Sequence, residues 1–156
     1  GHKFGPKYEG HMRVSTLAWW PGKIPAGSVS SEIMATIDVM PTVAKVVGQP
    51  IPKDRIIDGQ DVSNILLGTD KAKSPHDYHY YEKDGVRQGK WKLLKKKKKQ
   101  KGKWVEEMML FNLANDVAES RNLSAEKQSI VSKLSERMLE LDAEIEKNAR
   151  KPWFKE

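Results

Sequence analysis

Three groups of residues in this chain have the types and spacing to do chemistry. The densest is the run Lys95–Lys99, continued by Lys101 and Lys103. Clustered ammonium groups suit a polyanion, whether nucleic acid, membrane phosphate or a sulfated polysaccharide. The same run also reads as a solvated hairpin loop that like-charge repulsion keeps extended, with Trp91 and Trp104 as ordinary strand residues on either side. The second group, His76-Asp77-Tyr78-His79, invites a metal. Tyr78, Tyr80 and Tyr81 favour a strand, and there residues three apart point to opposite faces, so the two imidazoles would not share an ion. A third ligand at useful spacing is missing as well. The third group, Asp58 and Asp61, has the look of a carboxylate pair for acid–base work or calcium. Two aspartates in a Gly-rich connection more readily satisfy turn backbone and cap a short helix.

Composition narrows these choices. The 156 residues, 38% hydrophobic and 31% charged, suffice for one domain with a modest core. The absence of cysteine removes disulfides, a thiolate metal ligand and a Cys nucleophile from this chain. The net charge of +7 is concentrated: Lys71 to Lys103 holds thirteen Lys/Arg against three carboxylates, so the rest of the chain is slightly acidic. No apolar run approaches a membrane span and no signal peptide is visible, which leaves the compartment open.

The elements that position these groups follow from pattern. Val14 to Trp20, apolar and β-branched before a Pro21-Gly22 turn, reads as a buried strand. Such strands need neighbours on both sides and cover on both faces. With thirteen residues before it, this one reads as the last piece of a larger sheet. A helix is expected from Asp38 as N-cap, with Pro41 in its first turn, Val43, Val46 and Val47 as its buried face and Gly48 as its stop. Gln49 to Lys73 is irregular apart from a helical turn near Val62 to Leu67. Three strands follow, Asp77–Glu82, Val86–Leu94 and Trp104–Leu113, with Lys83-Asp84-Gly85 as a turn. Alternation puts Arg87, Gly89, Trp91 and Leu93 on one face and Gln88, Lys90 and Lys92 on the other, the pattern of an antiparallel sheet with one covered face. Finally, Ser124 caps a long helix with the apolar stripe Ile130, Leu134, Met138, Leu141, Ile145 and Ala149, ended by Pro152. The expected fold class is α+β: a small antiparallel sheet of about three to four strands with the long helix packed across it, plus a strand and a helix of a larger α/β sheet.

Five motifs, in order, carry a resemblance. They are Glu9-Gly10-x-x-Arg13-Val14 before Trp20-Pro21-Gly22-Lys23-Ile24; Asp38-x-x-Pro41-Thr42 with Val46-Val47-Gly48; and Asp58-Gly59-x-Asp61 with Leu66-Leu67-Gly68. Val86-Arg87-x-Gly89-Lys90-Trp91-Lys92-Leu93 comes next. Leu110-Phe111-Asn112-Leu113-x-Asn115-Asp116 with Glu119-x-x-Asn122-Leu123 closes the series. Together they resemble the C-terminal part of the type I sulfatases, the arylsulfatase group of the alkaline phosphatase superfamily. The resemblance divides the chain into residues 1–70, the end of the α/β catalytic domain, and 71–156, a C-terminal subdomain.

The resemblance implies a parent that hydrolyses sulfate esters through a formylglycine made from a Cys/Ser-x-Pro-x-Arg motif, with calcium held by Asp and Asn side chains. No serine here precedes x-Pro-x-Arg, so the nucleophile and the metal ligands are expected outside this chain. It implies a sulfate-binding lysine shortly before the Glu-Gly pair; Lys3 lies one residue from the usual spacing, and an ammonium suits the acceptor oxygens of a sulfate. The Lys3 loop and Tyr78 to Arg87 would then form one wall of the substrate cleft. The implied partner is a sulfate ester, including sulfated glycans, in a periplasmic, secreted or lysosomal setting. The related phosphonate monoester hydrolases share much of this scaffold. Two alternatives remain: a polyanion-binding module acting through Lys95–Lys103, and a truncated, non-catalytic relative that covers the strand Val14–Trp20 with a second copy of itself.

Overall fold

Residues 7–150 are described by a computed structural model of the chain, in two units: 7–14 with 78–150, and 15–77. The first unit contains an antiparallel meander of β1 (His79–Tyr80), β2 (Gly85–Gln88), β3 (Trp91–Gln100) and β4 (Lys103–Asn112), in that spatial order. The expected strand Val86–Leu94 is in fact two. Gln88 pairs with Trp91, leaving Gly89–Lys90 as a two-residue turn, and Gly89 adopts φ +54°. Glycine reaches that conformation without steric cost, so the chain reverses there and the expected alternation of Arg87, Gly89, Trp91 and Leu93 is broken. Val86 instead pairs with Leu93, and Arg87 with Lys92.

The lysine run is a second correction, because it is strand and not loop. β3 continues through Lys95–Lys99 to Gln100 and is laddered residue by residue against Lys103–Met108. The turn lies beyond it at Lys101–Gly102, with φ +48° and +81°, the pattern of a type I′ hairpin that matches strand twist. Glu106 and Glu107 stand opposite Lys97 and Lys96, and ion pairs join Lys95 to Glu106 at 3.9 Å and Lys98 to Glu107 at 3.6 Å. These cross-strand carboxylates offset part of the repulsion that the lysines alone would impose.

Both faces of the sheet are covered, where one was expected. α4 (Gln128–Asn148) packs on the first face: Val86, Leu93 and Leu110 form a core with Leu134 and Met138, rimmed by Tyr80, Trp91, Met108, Ile130 and Leu141. The apolar stripe is used only over its first turns, since Ile145 is 48% exposed and Ala149 lies past the helix. Ser124 is not its cap. Lys127 holds that position, and the Ser124 carbonyl instead accepts a hydrogen bond from Gln128 Nε2 at 2.9 Å. Pro152 and Lys3 lie outside the described residues. On the second face, Leu94, Phe111 and Leu113 pack with Met109 and with Tyr8, which precedes a single-turn helix α1 (Glu9–Met12).

The expected strand Val14–Trp20 is absent: residues 13–20 are irregular, with Leu17 97% and Trp19 88% exposed. A strand needs a neighbour to ladder with, and no described residue pairs with this stretch. α2 (Val39–Val46) does follow Asp38, through a 3-10 turn at Thr36–Asp38. It stops at Gly48, whose φ is +70°, with Gly48 N–H bonded to the Lys45 carbonyl and Gln49 N–H to that of Ala44. Its buried face, however, is Asp38, Pro41 and Thr42, whereas Val43, Val46 and Val47 are exposed. A short helix α3 (Ser63–Leu66) follows, and Asp61 accepts the Ser63 N–H at 2.9 Å as a local cap.

The uneven use of the α4 stripe sets a prediction. Leu134→Ala is expected to cost about 2–5 kcal/mol, the range for truncating a buried leucine. Ile145→Ala is expected to stay within about 0.5 kcal/mol. Urea unfolding of both variants measures this; equal losses would mean that α4 packs along its whole length.

Candidate functional site

Polar groups converge at one place in each unit. In the first, pairing of Arg87, Lys92 and Phe111 across β2, β3 and β4 sets Lys92 on the second face of the sheet, wholly buried. Its Nζ lies 2.8 Å from Glu9 Oε1 and 3.0 Å from Glu119 Oε1, and 4.5 Å from the centre of the Tyr81 ring. The backbone N–H of Glu9 donates to Glu119 Oε2 at 2.6 Å, and the Tyr81 hydroxyl donates to Glu9 Oε1 at 3.2 Å. Arg87 Nη1 completes the set at 3.5 Å from Glu9 Oε2. Two cations thus face two carboxylates, the balance a buried ionic cluster needs to offset its desolvation. Glu119 holds φ +53°, a conformation costly for a residue with a Cβ and kept where surroundings over-determine it.

The electrostatics follow from this packing. Burial pushes the Glu9 carboxyl up, but the Lys92 hydrogen bond and charge, Arg87 and the Tyr81 hydroxyl together carry it below the usual glutamate value. Burial, and then the Glu9 charge, push the Tyr81 phenol up. Each charged group of the cluster meets one of opposite sign, and these contacts fix Lys7–Arg13 onto the sheet.

In the second unit the Asp38 carboxylate, 1% exposed, accepts N–H bonds from Ala35 at 2.7 Å and Gln60 at 2.9 Å, and meets His76 Nε2 at 2.8 Å. The other imidazole nitrogen faces the Gln60 side-chain amide at 3.5 Å. Nε2–H donates to Asp38, and the Nδ1 edge faces Gln60, roles inferred from these contacts. Thr42 Oγ1 accepts the Val62 N–H at 3.0 Å. Gly59 is required here, because a Cβ would stand 1.9 Å from the Ile37 carbonyl oxygen. These contacts explain the orientation of α2: Asp38 and Thr42 must face the 59–62 backbone, so the valines turn outward.

The residues marked out by sequence are not brought together. His76 belongs to the Asp38 cluster of one unit, and His79 packs edge-on against Tyr81 in the other, ring centres 4.6 Å apart. Among the described residues no group of three or more His, Asp or Glu is placed to hold a metal ion. No described helix is long and apolar enough to cross a membrane. Across Tyr78–Arg87, the Tyr78 ring stacks under Arg137 at 4.8 Å, Tyr80 hydrogen-bonds Asp142, and Arg87 Nε donates to the Gly89 carbonyl at 2.9 Å. Lys96–Lys99, Lys101 and Lys103 are exposed on the β3–β4 arm, with Lys95 half-buried at its base. Sequence reasoning missed the ionic cluster, although Lys92 gave a signal: a lone cation inside the apolar run Trp91-Lys92-Leu93-Leu94.

Removing Lys92 tests the cluster. Lys92→Ala is expected to cost about 3–5 kcal/mol by removing the cation that two buried carboxylates share, while Lys92→Met with Glu9→Gln and Glu119→Gln recovers much of it. Because the folded-state pKa of Glu9 is depressed, its contribution is present above its unfolded value and is lost as pH falls through the folded one. The urea midpoint of the wild type should therefore fall between about pH 5 and 3, and that of Glu9→Gln should fall less. Parallel pH profiles would contradict this.

Comparison with known proteins agrees with this architecture. The chain matches the family described as N-sulphoglucosamine sulphohydrolase, C-terminal, over residues 5–144. Arylsulfatase G of Canis lupus familiaris is 31% identical over 150 residues, covering 83% of this chain and 28% of that protein. Arylsulfatase D of Homo sapiens is 40% identical over 74 residues, 47% of this chain and 12% of that one. Among solved structures, Ps i-CgsB in complex with k-i-k-neocarrahexaose aligns with a TM-score of 0.63 at 24% identity, covering 88% of this chain and 30% of its own. BT4656 in complex with its substrate D-glucosamine-2-N,6-O-disulfate aligns at 0.57 and 23%, covering 83% and 28%. At such identities the structural likeness shows the fold. The chain spans less than a third of the length of each of these relatives. Motif order, the α+β fold and the family match meet in one conclusion: the chain belongs to the sulfatases, as a C-terminal portion of the N-sulphoglucosamine sulphohydrolase type.

Proposed function

We propose that this chain serves a sulfuric ester hydrolase as structural support and as one wall of the substrate cleft, with the nucleophile supplied from elsewhere in the enzyme. The observation that carries this reading is the orientation of α2. Val39, Val43, Val46 and Val47 form one apolar stripe at helical spacing, yet all four are exposed, as are Leu17 and Trp19. Contiguous exposed apolar surface of this kind marks an interface. In the complete enzyme it is covered by the rest of the α/β catalytic domain, to which residues 1–70 belong, while 71–156 form the C-terminal subdomain.

Formylglycine and calcium, in this reading, supply covalent attack and charge stabilisation from residues outside this chain. What the chain itself provides is position. The buried Glu9 fixes the end of the segment that leads into the cleft, and Lys3 on that segment pairs with the sulfate of the substrate as a point charge. The substrate class is a sulfated carbohydrate, supported by the sulfated glucosamine that is the substrate of BT4656.

Two measurements follow. The 156-residue chain incubated with an aryl sulfate and calcium is expected to release no sulfate above buffer; calcium-dependent release would overturn the proposal. Val43→Ser and Val47→Ser should each change the stability of this chain by no more than about 0.5 kcal/mol, as surface substitutions do. A loss of about 2 kcal/mol would show that the valines are already buried and remove the support for a missing partner.

A further inference from the structure

The β3–β4 arm carries a feature that neither the fold nor the ionic cluster uses. From Lys95 to Glu107 it holds seven lysines against two glutamates and contains no arginine. Because it is a ladder, its side chains divide between two faces. Lys95, Lys97 and Lys99 share a face with Trp104 and Glu106; Lys96 and Lys98 share the other with Lys103, Val105 and Glu107. Glu106 reaches Lys95 and Glu107 reaches Lys98, whereas among the described residues neither Lys97 nor Lys99 has a carboxylate within ion-pair distance. Trp104, the cross-strand partner of Lys99, is 70% exposed. An exposed indole thus stands beside two ammonium groups that are not held in an ion pair among the described residues, an apolar surface flanked by available positive charge.

We propose that the face formed by Lys97, Lys99 and Trp104 binds a sulfated polysaccharide chain. The indole offers a flat apolar surface to a sugar ring, and the two lysines, whose Cα atoms lie about 6.7 Å apart along the strand, meet successive sulfates. The choice of a glycan over a nucleic acid rests on the sulfatase reading above. It is also supported by the absence of arginine, the residue whose planar fork reads guanine and phosphate in two contacts at once. The arm holds a polymeric substrate, a role separate from hydrolysis.

The test is binding of a fluorescent heparin-type octasaccharide to the 156-residue chain at about 0.1 M salt, beside its desulfated counterpart and single-stranded DNA of equal charge. The sulfated sugar should bind at least about tenfold more tightly than either. Lys97→Ser with Lys99→Ser should weaken it about tenfold or more, and Trp104→Ala by about tenfold, whereas Lys96→Ser with Lys98→Ser, which removes the same charge, should stay within about threefold. Trp104→Phe should retain binding, and circular dichroism confirms the fold of each variant. Equal losses from the two lysine pairs with a silent Trp104→Ala, tighter binding of DNA, or no preference for the sulfated sugar would each overturn the proposal. None of these readouts depends on turnover, so sulfate release by the chain would overturn the proposed function and leave this result standing.

Discussion

One ammonium group, that of Lys92, is excluded from water and held by two carboxylates from distant parts of the chain. Glu9 comes from 83 residues before it, and Glu119 from the turns after β4. A buried charge without partners costs several kcal/mol, so the sheet is stable in this form only while both carboxylates are in place. That requirement sets much else in the first unit. It draws Lys7–Arg13 onto the second face of the sheet, aligns Tyr81 and Arg87 toward Glu9, and holds Glu119 at a positive φ. Coulombic attraction does not make such a cluster more stable than well-packed apolar residues would be. The observed register does serve it, since Arg87 and Lys92 pair across β2 and β3 and both meet Glu9.

The second unit shows the same logic with weaker charges. Asp38 collects two backbone N–H groups and an imidazole, Thr42 takes a third N–H, and Gly59 lets the 59–62 strand of backbone lie against Ile37. The five family-like motifs therefore resolve into two structural knots. The Glu-Gly motif meets the Lys-Trp-Lys and Glu-x-x-Asn motifs, and the Asp-x-x-Pro-Thr motif meets the Asp-Gly-x-Asp motif. The motifs that identify the family are the ones that hold the backbone together.

Much of this was legible in the sequence where local chemistry decided it. Gly48 as a helix stop, Asp61 as a local acceptor for turn backbone, the turn before Gly85 and the Leu134–Met138 stripe all emerged from spacing and residue type. The failures came where long-range contacts overrode local pattern. Alternation carried the strand through Gly89 because a turn glycine and a strand glycine look alike until the partner is known. The lysines read as a loop because the carboxylates that make a ladder tolerable sit on the partner strand, beyond the turn. Val14–Trp20 has strand composition without a strand to pair with, and the α2 valines have a core pattern without a core to cover them. Lys92 stood out as a cation in an apolar run, but its partners could not be read, since neither is near it in sequence.

The claim on which the account turns is that Glu9 is locked to the sheet by Lys92 and Glu119. Its backbone N–H, which donates to Glu119 Oε2 at 2.6 Å, reports that directly. Native-state hydrogen exchange at this one amide is predicted to be as slow as at Leu93 and Leu110 in the middle of the sheet, opening only with global unfolding, and to become fast in Lys92→Ala. Exchange at Glu9 at the rate of an exposed loop, unchanged by that substitution, would contradict the account.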